Sequence, residues 1–218
     1  MRAAFRWIAP GLSVLALVCG CQGGSASGAL RAESAGAVAA MLPARFQTAV
    51  YEVNDMNVAS FYLWDGDVDA LLGGEPVSGQ FVHIEVLWTP RPGRTPVDRS
   101  ALNASVRHVI FANGEWGVYG GAGLARLGND AGASSVSVSI PEASLTLLDS
   151  SAGFVDPLTP ADLTGRFTAK LDERMARRLS LAASQAVTDR AGRPYYVRSQ
   201  FDHIPSFWWR DRSLCNAF

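Results

Sequence analysis

The sequence predicts a mainly β (or α+β) fold: an antiparallel β-sandwich or barrel-like sheet of about eight strands, with one long C-terminal amphipathic helix. Three observations carry this. Short runs of aromatic and β-branched residues recur between turn residues. Asn113-Gly114 lies between two alternating runs, a hairpin signal because both turn residues need φ > 0. Only 172–191 has sustained helical periodicity, so no βαβ alternation arises.

The elements follow in chain order. Residues 1–20 read as a signal peptide: Arg2 and Arg6 in a short basic start, then a mostly apolar run from Trp7 to Val18. Residues 21–44 are rich in Gly, Ala and Ser and read as a poorly ordered tether, with at most a weak Ala-rich helix over 30–42. A single β-rich domain is expected over 45–218. Within it, 46–53 and 57–63 read as strands. Asp67 is a suitable N-cap and Gly73 a suitable stop for a short helix. The run 80–88 is a strand with Val82, Ile84, Val86 and Trp88 on one face and Phe81, His83, Glu85 and Leu87 on the other. Residues 89–96 carry Pro90, Pro92 and Pro96 with Arg91 and Arg94, an extended basic loop that cannot join a central sheet.

A two-residue turn at 113–114 fixes register. Ala112 then faces Glu115, Phe111 faces Trp116, Val109 faces Val118, and His108 faces Tyr119. The pairs Phe111/Trp116 and Val109/Val118 should form core, with Arg107, His108 and Tyr119 at its margin or opposite. Residues 135–140 alternate Ser with Val136, Val138 and Ile140, and 143–148 is a further strand after Pro141. A proline-stiffened connection over 154–160 leads to a strand over 163–171, with Phe167, Ala169 and Leu171 inward and Arg166, Thr168 and Lys170 outward. The helix 172–191 has an apolar stripe of Met175, Leu179, Ala182, Ala183, Ala186 and Val187. Asp172 and Glu173 sit in its first turn, and Gly192 and Pro194 end it. The tail holds Tyr195, Tyr196, Phe201, Phe207, Trp208 and Trp209, which must pack on the domain or on a partner.

Composition narrows function. Hydrophobic residues make up 48% and charged residues 18%, which excludes a chain disordered throughout. With 19 basic and 20 acidic residues the chain lacks the excess positive charge of a dedicated nucleic-acid binder. No P-loop, HExxH or GxSxG occurs. Asp65-Gly66-Asp67-Val68-Asp69 begins like a calcium loop, but Ala70 stands where Gly is needed and Pro76 where the bidentate Glu belongs. The Gly120, Gly121 and Gly123 run has no βαβ context for a dinucleotide. No cofactor is expected. The histidines are His83, His108 and His203, the last following Asp202, and His83, Glu85 and His108 are the imidazole–carboxylate set taken as a candidate metal-dependent or hydrolytic centre.

Val18-Cys19-Gly20-Cys21 resembles the lipobox of bacterial lipoproteins. The resemblance implies cleavage before Cys21, acylation of its sulfur and a place in the bacterial cell envelope. Gln22, which is not Asp, points towards the outer membrane. Cys215 is then the one free thiol of the mature chain, and a disulfide framework is excluded. The runs Val109–Tyr119 and Gly153–Pro160 look similar to uncharacterised planctomycete-type lipoproteins, a resemblance that brings no activity with it. The expected function is a lipid-anchored, non-catalytic binding or structural module. Its expected contact residues are Arg91 and Arg94 in the basic loop and Phe207, Trp208 and Trp209 in the tail, and its partner an envelope protein or cell-surface component. The alternative is an envelope hydrolase or metal-dependent enzyme built on His83, Glu85 and His108.

Overall fold

The computed structural model describes residues 27–37, 39–89 and 102–197. Among these residues, nine strands form one mostly antiparallel sheet, and two helices lie on it. The strands are β1 (Gly28–Ser34), β2 (Met41–Phe46), β3 (Thr48–Val53), β4 (Ala59–Trp64), β5 (Gly79–Val86), β6 (Ala104–Ala112), β7 (Glu115–Leu127), β8 (Ser135–Ser150) and β9 (Ala161–Leu171). Helix α1 (Val68–Gly73) joins β4 to β5, and α2 (Glu173–Ala191) follows β9.

The ladder closes on itself. Each strand from β3 to β8 pairs with the next, β8 pairs with β9, β9 with β1, and β1 with β2. Strands β2 and β3 follow one path bent at Gln47, so the barrel has eight staves in up-and-down order. Of the two architectures expected, sandwich or barrel, the closed ring is the one formed. Closure removes the free edges that an open sheet would expose.

Alternation along each strand splits the apolar residues into two cores. One fills the barrel, with Tyr51, Phe61, Leu63, Ile84, Tyr119, Leu145 and Phe167. The other lies outside, between the sheet and the helices, where Tyr62, Trp64, Phe81, Phe111, Trp116 and Val118 meet Ala176, Leu179, Ala183 and Val187 of α2. The Asn113-Gly114 hairpin has the expected register, with φ of 54° and 82° at the turn. Helix α2 starts at its Asp172 cap, whose carboxylate accepts from Met175 N, and stops at left-handed Gly192. The short helix is capped by Asp67 as expected, but its left-handed stop is Gly74 rather than Gly73.

Four expectations are corrected. First, the stretch 28–44, read as part of a loose tether, holds β1 and most of β2. Leu30 and Ala32 point inward while Arg31 and Glu33 point outward, an alternation muted in sequence because alanine is a weak apolar marker. Second, 135–140 and 143–148 are one long strand, β8, with a register shift between Ile140 and Ala143 that accommodates Pro141. Third, 46–53 is broken at Gln47 between β2 and β3. Fourth, Leu171 is 38% exposed rather than inward, because β9 ends there and the chain turns into α2.

Candidate functional site

His83, Glu85 and His108 do not converge. His83 and Glu85 follow Phe81 on the outer face of β5, whereas His108 lies between Val106 and Ile110 on the inner face of β6. A period of two makes this unavoidable: in the register of Val82 opposite His108, an odd-numbered residue of β5 cannot share a face with His108. The joint site is therefore corrected to two separate polar clusters. Among the described residues no group of three or more His, Cys, Asp or Glu is placed to hold a metal ion.

The inner cluster is a chain of hydrogen bonds. Gln80 Nε2 donates to Pro43 O at 3.1 Å and to Asp65 Oδ2 at 3.2 Å, so its Oε1 is turned to His108 Nε2 at 3.0 Å. That contact requires the Nε2–H tautomer. Nδ1 is then a bare acceptor, and it is buried without a hydrogen-bond partner. Burial in this apolar interior pushes the imidazole pKa down to about 4. Burial raises the Asp65 pKa, opposed by its hydrogen bonds from Gln80. Opposite His108, Tyr119 donates to Asp156 Oδ1 at 2.7 Å, and burial is the first cause raising the phenol's pKa. Asp156 Oδ1 also accepts from Leu158 N and Thr159 N, tying the 154–160 connection across the barrel end. Asp65 thus belongs to a structural chain and Asp67 is a helix cap, so the acidic run 65–69 works as a capped turn.

The outer cluster lies on β3, β4 and β5. Tyr62 donates to Glu52 Oε1 at 2.9 Å, and Arg177 Nε of α2 reaches Glu52 Oε2 at 3.4 Å. The His83 ring stacks on Tyr62, 4.8 Å between centroids and 17° from parallel. Ser105 Oγ donates to Glu85 Oε2 at 3.3 Å. His83 and Glu85 are each 1% exposed. An imidazole and carboxylates this deeply covered hold elements together; substrate reaches such groups only if the cover is displaced.

A third feature lies on the outer face of β7, β8, β9, β1 and β2, away from Trp116 and Val118, where β7 packs against α2. Ser139 faces Arg126 on one side and Arg166 on the other; Arg166 then faces Ala29, and Ala29 faces Arg45. All three arginines are exposed, and none is in an ion pair among the described residues. Arg126 and Arg166 flank a shallow groove of about 480 Å³ with Ser137, Ser139 and Thr168 in its lining and Ser27 at its edge. Sequence reading had placed Arg166 outward but missed the row. The row depends on strand register, and Ala29 and Arg45 belong to a segment not read as strand until its end.

The expected contact residues Arg91, Arg94, Phe207, Trp208 and Trp209, and Cys21, the expected lipid acceptor, lie outside the described residues. The flanks of the basic loop are described: Val86 pairs with Ala104, so the loop leaves the barrel at the end where β1 begins. Of the aromatic tail, Tyr195 packs on Trp116 at 6.2 Å and Val197 is buried, while Tyr196 is 66% exposed. Asn103 heads an Asn-Ala-Ser triplet, but its side chain bonds Trp88 O and Ala125 O and N, and it is 1% exposed. It pins the start of β6 and offers nothing to a glycan.

No family model, no curated protein and no solved structure matches this chain.

Proposed function

We propose that this chain is a lipid-anchored bacterial envelope protein, sorted to the outer membrane, whose barrel is a non-catalytic binding or structural module. The observation that carries the reading is how soon the barrel starts after the lipobox cysteine. Ser27 O accepts from Thr168 N, so the ladder is engaged six residue steps after Cys21. Even fully extended, those steps span at most about 20 Å. Acyl chains on Cys21 would therefore hold a folded barrel against the lipid surface, each buried methylene adding about 0.8 kcal/mol. The packed interior and the separation of the two imidazoles onto opposite faces favour surface recognition over chemistry in a cleft.

The test is fractionation and affinity recovery from intact cells, wild type against Cys21→Ser. The reading expects acylated wild type in the envelope fraction with a crosslinked partner, and a Cys21→Ser chain without acyl mass. Wild type free of acyl groups would sink the anchor. Wild type with no specific partner would sink the binding role.

A further inference from the structure

We propose that the row Arg126–Arg166–Arg45 is the face the anchored barrel turns to the bilayer, and that it takes the phosphates of anionic phospholipids. The inference rests on the anchored reading above and adds an orientation and a ligand to it.

Placement comes first. Ser27 edges the groove between Arg126 and Arg166, and it is held there by Thr168. The chain reaches Cys21 within about 20 Å of that point. A barrel tethered so closely beside this groove cannot keep it far from the headgroups.

Charge comes second. Neighbouring strands are about 4.8 Å apart, so Arg126, Arg166 and Arg45, each two strands from the next, stand at intervals of about 10 Å. At that spacing the like charges repel only weakly in water, before screening by salt, and an anionic surface laid along the line attracts all three at once. Elsewhere the surface supplies carboxylates: Arg31 pairs with Glu33, Arg177 with Glu52 and Glu173, and Arg193 with Asp149. Along the strands, Glu142 lies three residues from Ser139 and Asp162 four from Arg166; Glu33, four residues from Ala29, is paired with Arg31. At about 3.3 Å per residue, Glu142 and Asp162 are roughly 10 and 13 Å away. None of the three is in an ion pair with the row.

Chemistry comes third. A guanidinium meets a phosphate through two parallel N–H donors, and the hydroxyls of Ser137, Ser139 and Thr168 line the same groove. Ser139, between the two arginines, is too small to stand above them. The surface suits headgroup contact rather than insertion. The lipid anchor supplies the effective concentration, so a few modest contacts suffice to set orientation.

The test uses the native acylated protein in vesicles of phosphatidylcholine, with or without phosphatidylglycerol. Arginines are modified with a dicarbonyl reagent and read by mass spectrometry. Arg126 and Arg166 are expected to react about fivefold more slowly in the anionic vesicles, the factor for one basic side chain at an anionic surface. Arg174, exposed on α2, should react equally in both. The protection should vanish in 1 M salt, where the Debye length is about 3 Å. Arg166→Glu should also release Arg126 and Arg45. Equal reactivity in both vesicles, or persistent protection of Arg126 in Arg166→Glu, overturns the proposal. So does protection by inorganic phosphate alone in neutral vesicles, which would mark a free-anion site. Acylated Cys21 with unprotected arginines defeats this proposal alone; a chain without acyl mass defeats the anchor as well.

Discussion

At the scale of single residues, His108 has the clearest energetic signature. Its pKa is pushed down to about 4 in the folded chain against about 6.5 unfolded. Between those values the unfolded state binds the extra proton, so stability rises with pH there. The contribution is present in full above about pH 6.5 and is lost as pH falls towards 4. The expected loss is about 3 kcal/mol between pH 7 and pH 4. Urea unfolding at the two pH values checks it, and His108→Gln should flatten that part of the profile. An equal pH slope in the variant would show that other groups carry it. The histidine itself was visible in sequence as a residue outside the hairpin core. Its depth was not, because a strand facing the inside of a ring and one facing solvent share the same alternation.

At the scale of elements, α2 shows what patterning reveals. Its stripe and its glycine stop are local and were legible, while Asp172, read as part of the first turn, is the cap one residue before it. Asp172→Ala should cost about 1 kcal/mol, the usual value for a lost N-cap. Leu179→Ala should cost about 3 kcal/mol, since Leu179 is fully buried on the outer face of the sheet. Thermal or denaturant melts of the two variants should separate these values clearly, and equal losses would place the helix off the barrel. The asparagine–glycine hairpin was legible for the same local reason. Strands β1 and β2 were not. Their alanines carry little apolar signal, and β9, the second partner of β1, lies far along the chain. The glycines of β7 show the same limit. Sequence reading found that they lack a dinucleotide context; a Cβ on Gly121 would collide with Ser144 O, and one on Gly123 with Ala143, so close approach of β8 is what they permit. Only the pairing reveals that.

At the scale of the whole molecule, the ring is as strong as its last seam. Strand β1 fills the gap between β9 and β2, with Leu30 and Ala32 turned inward. Ala32→Asp would put a carboxylate into the apolar interior, at a cost above about 3 kcal/mol. Opening at this seam would bare the edges of β9 and β2, so the variant should aggregate as well as melt early. Size-exclusion chromatography beside a melting curve tests both. A monomeric variant of unchanged stability would show that the barrel tolerates an open seam. The candidate site was legible in proportion to its locality. The arginine row is a product of register, and the failed imidazole pair illustrates that proximity in sequence pattern is no guide to face.

The same seam has a temporal meaning. The ring joins its first strand to its last, since Gly28 must meet Phe167. Until β9 exists, β1 has only β2 to pair with, and a lone two-stranded ribbon is marginal in water. Such distant pairing also makes closure slow. The barrel therefore cannot close before β9 has been made; on the anchored reading proposed above, that leaves the chain unfolded long enough to be exported. If Cys21 is acylated while the rest is still arriving, closure takes place at the lipid surface, with one end of the seam already fixed there.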